Sequence, residues 1–443
     1  MNILRNVINE TNIDSIIKDY VDKKNHYMRE DSFDKRVYLT KDVLELDTKE
    51  FIELISNIET LNNTILKKIV FHILKNDINS LNKIWMTQEM VEVMDHIFKK
   101  LNINDYSQLP LSYYWRYDLL LDEKDNKLKV VEIKSETTAW YSETVSNDII
   151  FKNTNLGWEN TQYIDVNENM NMAFYKSLFH EFQKIKENKD IKNNFLFTFV
   201  SACWEYFEIK KDVKWKVYFD QEYDEDYICN IHMTSFFYEQ LSKEWINVKV
   251  WNTNDLEIRK DWIYYENEKQ HYICFFYPME WFFTDKWTSE FWELYKKWEF
   301  EIVNNPLNLI TQSKAIWAYI HDNLKKWIDM WLSKEEIKLF LDIVPEYRFE
   351  ITKEEENFVS KPLYFREWVW IDNQEYIELK VFQKRIDQKL IKINTFDWEV
   401  AWYLTLWIYM WEDWYIWTYT RFCDQPVTDF TAYYLTTVIK KFI

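Results

Sequence analysis

The chain has 443 residues and a formal net charge of −19, with 47% hydrophobic and 29% charged residues, the make-up of a globular protein with two or three cores. That acidic balance excludes nucleic acid as the main partner, since neutralising phosphates needs a basic field. No apolar run reaches the roughly 18 residues of a membrane helix, so no membrane partner is expected.

Taken in chain order, Met1 to Tyr20 is polar and lacks the apolar stretch of a signal peptide,. Residues 1–104 read as mostly helical. Phe51, Ile52, Leu54, Ile55, Ile58 and Leu61 keep a helical period behind the cap-like Asp47-Thr48-Lys49-Glu50, and Met90, Val91, Met94, Ile97, Phe98 and Leu101 repeat it after Thr87,. From 105 the texture turns to short strands. A helix is expected over 170–187, and strands at Phe195–Val200, Ile246–Val250 and Tyr272–Phe276. Alternating strand and helix signals predict a parallel sheet with covering helices. A helix over 311–324 and another over 334–342 precede β-rich sequence from 358 to 420. Three regions result: 1–104, 105–300 and 301–443, in an α+β class. The cysteines Cys203, Cys229, Cys274 and Cys423 form no C-x-x-C pair, which points to a reducing, cytoplasmic setting without structural zinc. His72, His180 and His232 have no metal-ligand spacing. The sequence leaves the oligomeric state open.

One number fits nothing: the chain holds one glycine and 24 tryptophans. Ordinary usage of roughly 7% would give about thirty glycines. The tryptophans also stand where glycine belongs. Trp298 follows a helix ending in Lys296-Lys297, Trp331 lies just before the capping box at Ser333 to Glu336, and Glu412-Asp413-Trp414 reads as a hairpin turn,. Some bacterial lineages read UGA as glycine and others as tryptophan. The expectation is that most tryptophan letters stand for glycine. If they are real, a Trp-rich carbohydrate-binding protein becomes a competing class.

The segment richest in chemistry is 114–144. Arg116 to Leu121 and Leu128 to Lys134 read as strands around the polar loop Glu123 to Lys127. A loop centred on Asp125 sets Asp118 opposite Glu132, with Lys134 on the same face as Glu132. Two facing carboxylates repel. A divalent cation would relieve this, and Mg²⁺ takes one or two carboxylates plus phosphate oxygens. The alternative is a solvated hairpin with Lys134 as counter-ion.

With tryptophan read as glycine, Trp115-Arg116-Tyr117-Asp118 becomes G-R-[FY]-D, and Glu132 to Trp140 is similar to an E-x-N-x-[DE]-[ST] stretch. Tyr277-Pro278-Met279-Glu280-Trp281 resembles P-x-E-W, with Trp281 a genuine tryptophan. Asn304-Asn305-Pro306 and Gln312-Ser313-Lys314-Ala315 resemble N-P-…-[SN]-K-A. Val359 to Trp368 resembles V-x-K-P-x-x-G-R-E-G, and Glu378 to Gln383 a strand ending in a nucleotide-hinge glutamine. Ala401-Trp402, Trp417 and Arg421 resemble a closing A-G and arginine region. In this order the motifs resemble the glutathionylspermidine synthase family of ATP-grasp carboxylate–amine ligases, over roughly residues 105–443.

The resemblance implies an ATP-grasp fold with a pre-ATP-grasp-like α/β region, a helical N-terminal segment, and ATP and Mg²⁺ as cofactors. Lys314 and Lys361 would grip ATP phosphates, and Gln383 would lie near the adenine. Asp118 and Glu132 would hold the metal, with Asp118 also beside the nucleotide. Arg116 would stabilise charge in phosphoryl transfer. Thr137, Glu280, Arg366 and Arg421 would contact substrate. The implied reaction joins a peptide carboxylate, such as that of glutathione, to a polyamine or amino acid through an acyl phosphate. A non-catalytic nucleotide- or peptide-binding relative is the alternative. Lys134 stands where the family has a metal-ligating asparagine, so either one metal is lost or its ammonium neutralises phosphate instead.

Overall fold

The computed structural model of the chain describes residues 1–9, 12, 15–16, 40–111, 114–135, 150–157, 162–165, 195–199, 210–211, 217–218, 248–252, 256–265, 267–270, 272–276, 288–297, 300–302, 305–352, 357–363, 380–396, 398–411, 414–425 and 433–441. Strands β1 (Asn2–Leu4) and β2 (Val43–Asp47) pair antiparallel, adding sheet to a stretch read as mostly helical. Asp47 ends β2 and caps α1 (Thr48–Thr60): its carboxylate accepts from the N–H groups of Lys49 and Glu50 at 2.9 and 3.2 Å. Such a cap is worth about 1 kcal/mol. Phe51, Ile55 and Ile58 are buried along one stripe, as the helical period requires. A π-helical turn at 61–66 continues into α2 (Lys67–Asn76), followed by the single-turn α3 (Ser80–Lys83). Helix α4 (Gln88–Leu101) starts on Thr87, whose hydroxyl accepts from Met90 N, and stops on left-handed Asn102.

β3 (Tyr114–Leu121) and β4 (Leu128–Lys134) form the expected hairpin. β5 (Tyr163–Asp165), β6 (Phe195–Phe199), β7 (Val248–Asn252) and β8 (Tyr272–Phe276) follow, then α5 (Thr288–Lys296) and β9 (Glu301–Ile302). The order β9-β8-β6-β7 is parallel throughout, the parallel sheet that the sequence predicts. The helix expected over 170–187 lies outside the described residues.

Next come α6 (Asn308–Gln312), α7 (Ala315–Asp322), α8 (Leu324–Met330) and α9 (Lys334–Ile343). The single helix read over 311–324 is broken at Ser313, whose ψ of 121° is extended. Helix α9 opens on the predicted capping box, with Glu336 N donating to Ser333 Oγ at 3.1 Å and Ser333 N to the Glu336 carboxylate at 2.7 Å,. β10 (Tyr347–Arg348), β11 (Phe358–Pro362) and β12 (Lys380–Lys384) make an antiparallel sheet with β12 in the middle.

β13 (Leu390–Asn394), β14 (Glu399–Trp411) and β15 (Trp414–Cys423) build the β-rich tail. The long β14 is a spine, with β15 along one edge while β13 and then β3 share the other. Trp411 faces Trp414, so this hairpin closes over two residues. Alternation gives the sheet two chemically different faces. Trp115, Tyr117 and Leu119 of β3 and Leu404, Leu406, Ile408 and Met410 of β14 sink into the hydrophobic core. The opposite face carries Arg116, Asp118, Thr405, Trp407 and Tyr409 in facing or diagonal positions. Finally β16 (Thr437–Lys440) lies between β2, to which it is parallel, and β5.

With glycine nearly absent, the left-handed backbone positions among the described residues fall on Asn6, Asn102, Asn126, Asn267 and Trp85. Asparagine tolerates this region. Trp85 does not: at φ 63° it follows α3 in the slot that favours glycine. Met86 N donates to Leu81 O and Trp85 N to Asn82 O, each at 3.1 Å, the paired bonds of a Schellman cap. Trp331, expected at such a position, is instead at φ −144°, and Trp298 lies outside the described residues.

Candidate active site

The polar face of the β4-β3-β14-β15 sheet gathers the charges that the sequence singles out. Asp118 faces Glu132, and Arg116 faces Lys134. The pairing is as predicted, but its cause needs correction. Nearer the turn, Leu121 pairs with Leu128 and Leu119 with Val130, so the loop is not centred on Asp125; a register shift after Asp118 leaves Val131 as an extra residue. This bulge restores the Asp118–Glu132 pair, and bulges of this kind re-aim side chains beside active sites.

Val131 also anchors a second layer. Its carbonyl accepts from the Tyr347 hydroxyl at 2.5 Å and from Lys361 Nζ at 3.2 Å. In the β10-β12-β11 sheet, Gln383 lies opposite both Tyr347 and Val359, and Lys361 opposite Val381. By alternation all five side chains share one face, which places Gln383 on the Lys361 side, buried,. Lys314 arrives from the break between α6 and α7: its backbone N–H donates to Leu363 O at 3.1 Å. Gln312 Oε1 accepts from Ser135 N at 2.8 Å, and Ser135 Oγ donates to Asn308 O at 3.1 Å. These bonds fasten the end of β4 to the segment that presents Lys314.

Electrostatics then tie the cluster together. Arg116 grips Asp118 through two parallel bonds, Nε to Oδ1 at 2.7 Å and Nη2 to Oδ2 at 2.9 Å. Lys314 Nζ lies 3.0 Å from Glu132 Oε1, and Lys134 Nζ 4.0 Å from the same oxygen. Burial would raise the Glu132 pKa, yet Lys314, Lys134 and Lys361 hold it well below the usual carboxylate range. Burial also disfavours the Arg116 cation, but Asp118, Tyr409 and Glu132 together more than offset this. The Lys361 ammonium is pushed down to about 8 by burial, opposed by Glu132 and reinforced by the like charge of Lys314.

Arg421, from β15, reaches the same face and packs its guanidinium 5.0 Å from the centre of the Trp407 ring. Arg116, Lys134, Lys314 and Lys361 lie around Asp118 and Glu132, Arg421 shares their face, and all five cations are buried. Buried charge costs several kcal/mol per ion unless it is paired. A protein of net charge −19 has concentrated positive charge here, an arrangement suited to a polyanion.

The metal reading can be tested on the same residues. No group of three or more His, Cys, Asp or Glu is gathered for a metal among the described residues. Free Mg²⁺ would meet Arg116 on Asp118 and ammonium groups around Glu132, a poor fit. Mg²⁺ that arrives with phosphate oxygens needs only one or two carboxylates, and the facing pair suits that. Lys134 adds an ammonium 4.0 Å from Glu132 Oε1. Of the remaining predicted residues, Thr137, Glu280 and Arg366 lie outside the described residues. Tyr347, Gln312, Trp407 and the Val131 bulge had been assigned no role from the sequence. Gln312 stands in the Gln312-Ser313-Lys314-Ala315 stretch, but nothing in its spacing marks it as the strap to Ser135.

No family model matches the sequence, and no curated protein matches it either. Among solved structures, the chain aligns with a glutathione synthetase-like effector from Globodera pallida in its apo form, at TM-score 0.55 and 10% identity, over 97% of this chain and 96% of that one. The fold is glutathione synthetase-like. A second structure, bearing the name of a gamma-glutamylcysteine synthetase from Methylobacillus flagellatus, aligns at 10% identity over 84% of this chain and 87% of its own; its TM-score of 0.36 is too low to build on. No helix among the described residues is long and apolar enough to cross a membrane.

Proposed function

We propose that the chain is an ATP-dependent carboxylate–amine ligase of the ATP-grasp kind, related to the glutathionylspermidine synthases. The observation that carries this is the buried convergence of Lys314 and Lys361, from two separate elements, on the Asp118–Glu132 pair, within a glutathione synthetase-like fold. In this reading Lys314 and Lys361 hold the phosphate oxygens of ATP, and Gln383 lies by the adenine. Asp118 and Glu132 would hold Mg²⁺ delivered with the nucleotide, which would neutralise phosphate charge there. Arg116, fixed by Asp118, stabilises charge as a carboxylate oxygen attacks the γ-phosphorus and ADP leaves. An amine then attacks the acyl carbon, loses a proton and expels phosphate, leaving an amide. Thr137, Glu280, Arg366 and Arg421 are the proposed substrate contacts. A glutathione-like thiol peptide is the proposed acid, and a polyamine or amino acid the proposed amine. The proposed setting is the cytoplasm.

A coupled assay of ADP release with glutathione and a panel of amines tests this reading. Turnover is expected for at least one pair, and Lys361→Ala and Asp118→Ala should each abolish it while the circular dichroism spectrum is kept. Tight ATP binding with no turnover on any pair would favour the non-catalytic relative, a reading that the extra ammonium of Lys134 also favours. A carbohydrate platform finds little support: among the residues whose side chains are described, only Trp331 and Trp398 are exposed tryptophans.

A further inference from the structure

Position 407 lies at the centre of the polar face. It stands directly between Asp118 on β3 and Tyr419 on β15. The Trp407 side chain is 3% exposed, yet it lies outside the continuous hydrophobic core. Instead, its ring carries the Arg116 guanidinium 3.9 Å from its centre on one side and that of Arg421 at 5.0 Å. Tyr419 packs beside it at 5.1 Å between ring centres. Arg116 already holds Asp118 through Nε and Nη2, yet a guanidinium carries five N–H donors. It gains modestly from an aromatic face, whereas its donors match a carboxylate or phosphate far better. Trp407 is also one of the letters that the glycine deficit brings into question.

We infer that Trp407 plugs an anion subsite, and that removing its indole lets Arg116 and Arg421 take a carboxylate or phosphate group between them. The inference rests on reading this face as the anion-binding site. Glycine at 407 would leave the strand pairing of β14 in place, since only backbone groups bond to β3 and β15. It would clear a space walled by Asp118, Tyr419 and the two arginines. The occupant is a group with two or more acidic oxygens, whether a phosphate of the nucleotide or a carboxylate of the acid.

Calorimetric titration of the full-length chain with tripolyphosphate and, separately, with glutathione tests this and distinguishes the two sources. Trp407→Gly is the direct variant. Trp407→Val removes the indole while keeping a residue that suits a strand, should the glycine variant not fold. The control, Trp398→Gly, alters an exposed tryptophan. We expect one of the two anions to bind at least about tenfold more tightly to either position-407 variant, and the control to leave affinity unchanged. Unchanged affinity for both anions in a folded position-407 variant would overturn the inference, as would an equal gain in the control. A gain in anion binding without ADP release on any substrate pair would uphold the plug and sink the ligase reading. ADP release by the unsubstituted chain with no gain at position 407 would do the reverse.

Discussion

Two regions of the molecule crowd charged side chains together, and they do so on opposite principles. One is a cavity of about 510 Å³ between the β3–β4 loop, the ends of α7 and α9, and the residues after β12, lined by Lys124, Lys129, Glu346, Arg348, Lys384 and others. Here cations have carboxylates to hand: Lys124 with Asp387 at 2.7 Å, Lys129 with Asp125 at 2.6 Å, and Arg348 with Glu346 at 2.5 Å. The other is the polar sheet face, where buried Arg116, Lys134, Lys314 and Lys361 share Asp118 and Glu132. The first region pairs its charges one to one beside open volume; the second buries several cations around one carboxylate, Glu132. A concentration of buried like charge marks a candidate anion site better than empty volume does.

The sharpest way to break this contrast is to neutralise one carboxylate in each region. Glu132→Gln should cost about 3–5 kcal/mol in urea unfolding, because it strips a counter-charge from buried ammonium groups. Asp387→Asn, in a pair with side chains 69% and 49% exposed, should cost less than about 1 kcal/mol. Equal losses would show that the polar face is no more strained than the cavity.

The pH dependence offers a second test. Lys361 has a folded pKa below its ordinary value, so above about 8 the folded chain holds fewer protons than the unfolded one. Stability contributed through this group therefore rises with pH beyond that point, while the ammonium available to an anion is lost. Tripolyphosphate affinity should fall about tenfold per pH unit above the Lys361 pKa, and Lys361→Arg, which stays charged, should remove most of that fall. Titrations at several pH values would show it.

The smallest effect concerns the glycine question. Left-handed backbone costs a bulky residue about 1–2 kcal/mol, so Trp85→Gly should leave stability unchanged or raise it by up to ~1 kcal/mol. Trp292→Gly, which empties a fully buried site, should lower it by about 3–5 kcal/mol. Thermal unfolding compares the two. Peptide masses from the protein made in its native cell would decide the letters directly. We propose glycine at Trp85 as well as at most other tryptophan positions.

How far the sequence could be read depended on the range of the interactions. Helix starts at Asp47, Thr87 and Ser333 were legible because a cap acts within three residues. The facing of Asp118 and Glu132 was legible for an incomplete reason, since the off-centre turn and the Val131 bulge cancel. Lys314 and Lys361 could be named from motif order, but their meeting at Glu132 depends on a helix break at Ser313 that no propensity marks. Tyr347 and Trp407 stayed hidden because each acts through partners more than two hundred positions away, Val131 and Arg116 respectively. No periodicity reports such distances.

The parallel pairing of β2 with β16 constrains how the chain can be made. Val43–Asp47 has as its neighbour the distant strand Thr437–Lys440, and a hydroxyl-to-carbonyl bond from Thr48 to Lys440 closes the same seam across 392 positions. During synthesis the early strand must wait for those intervening residues before one of its edges is covered. Contacts of such long sequence separation slow folding and prolong the exposure of strand edges. The seam thus makes completion of this sheet a late event, held back until β16 has left the ribosome.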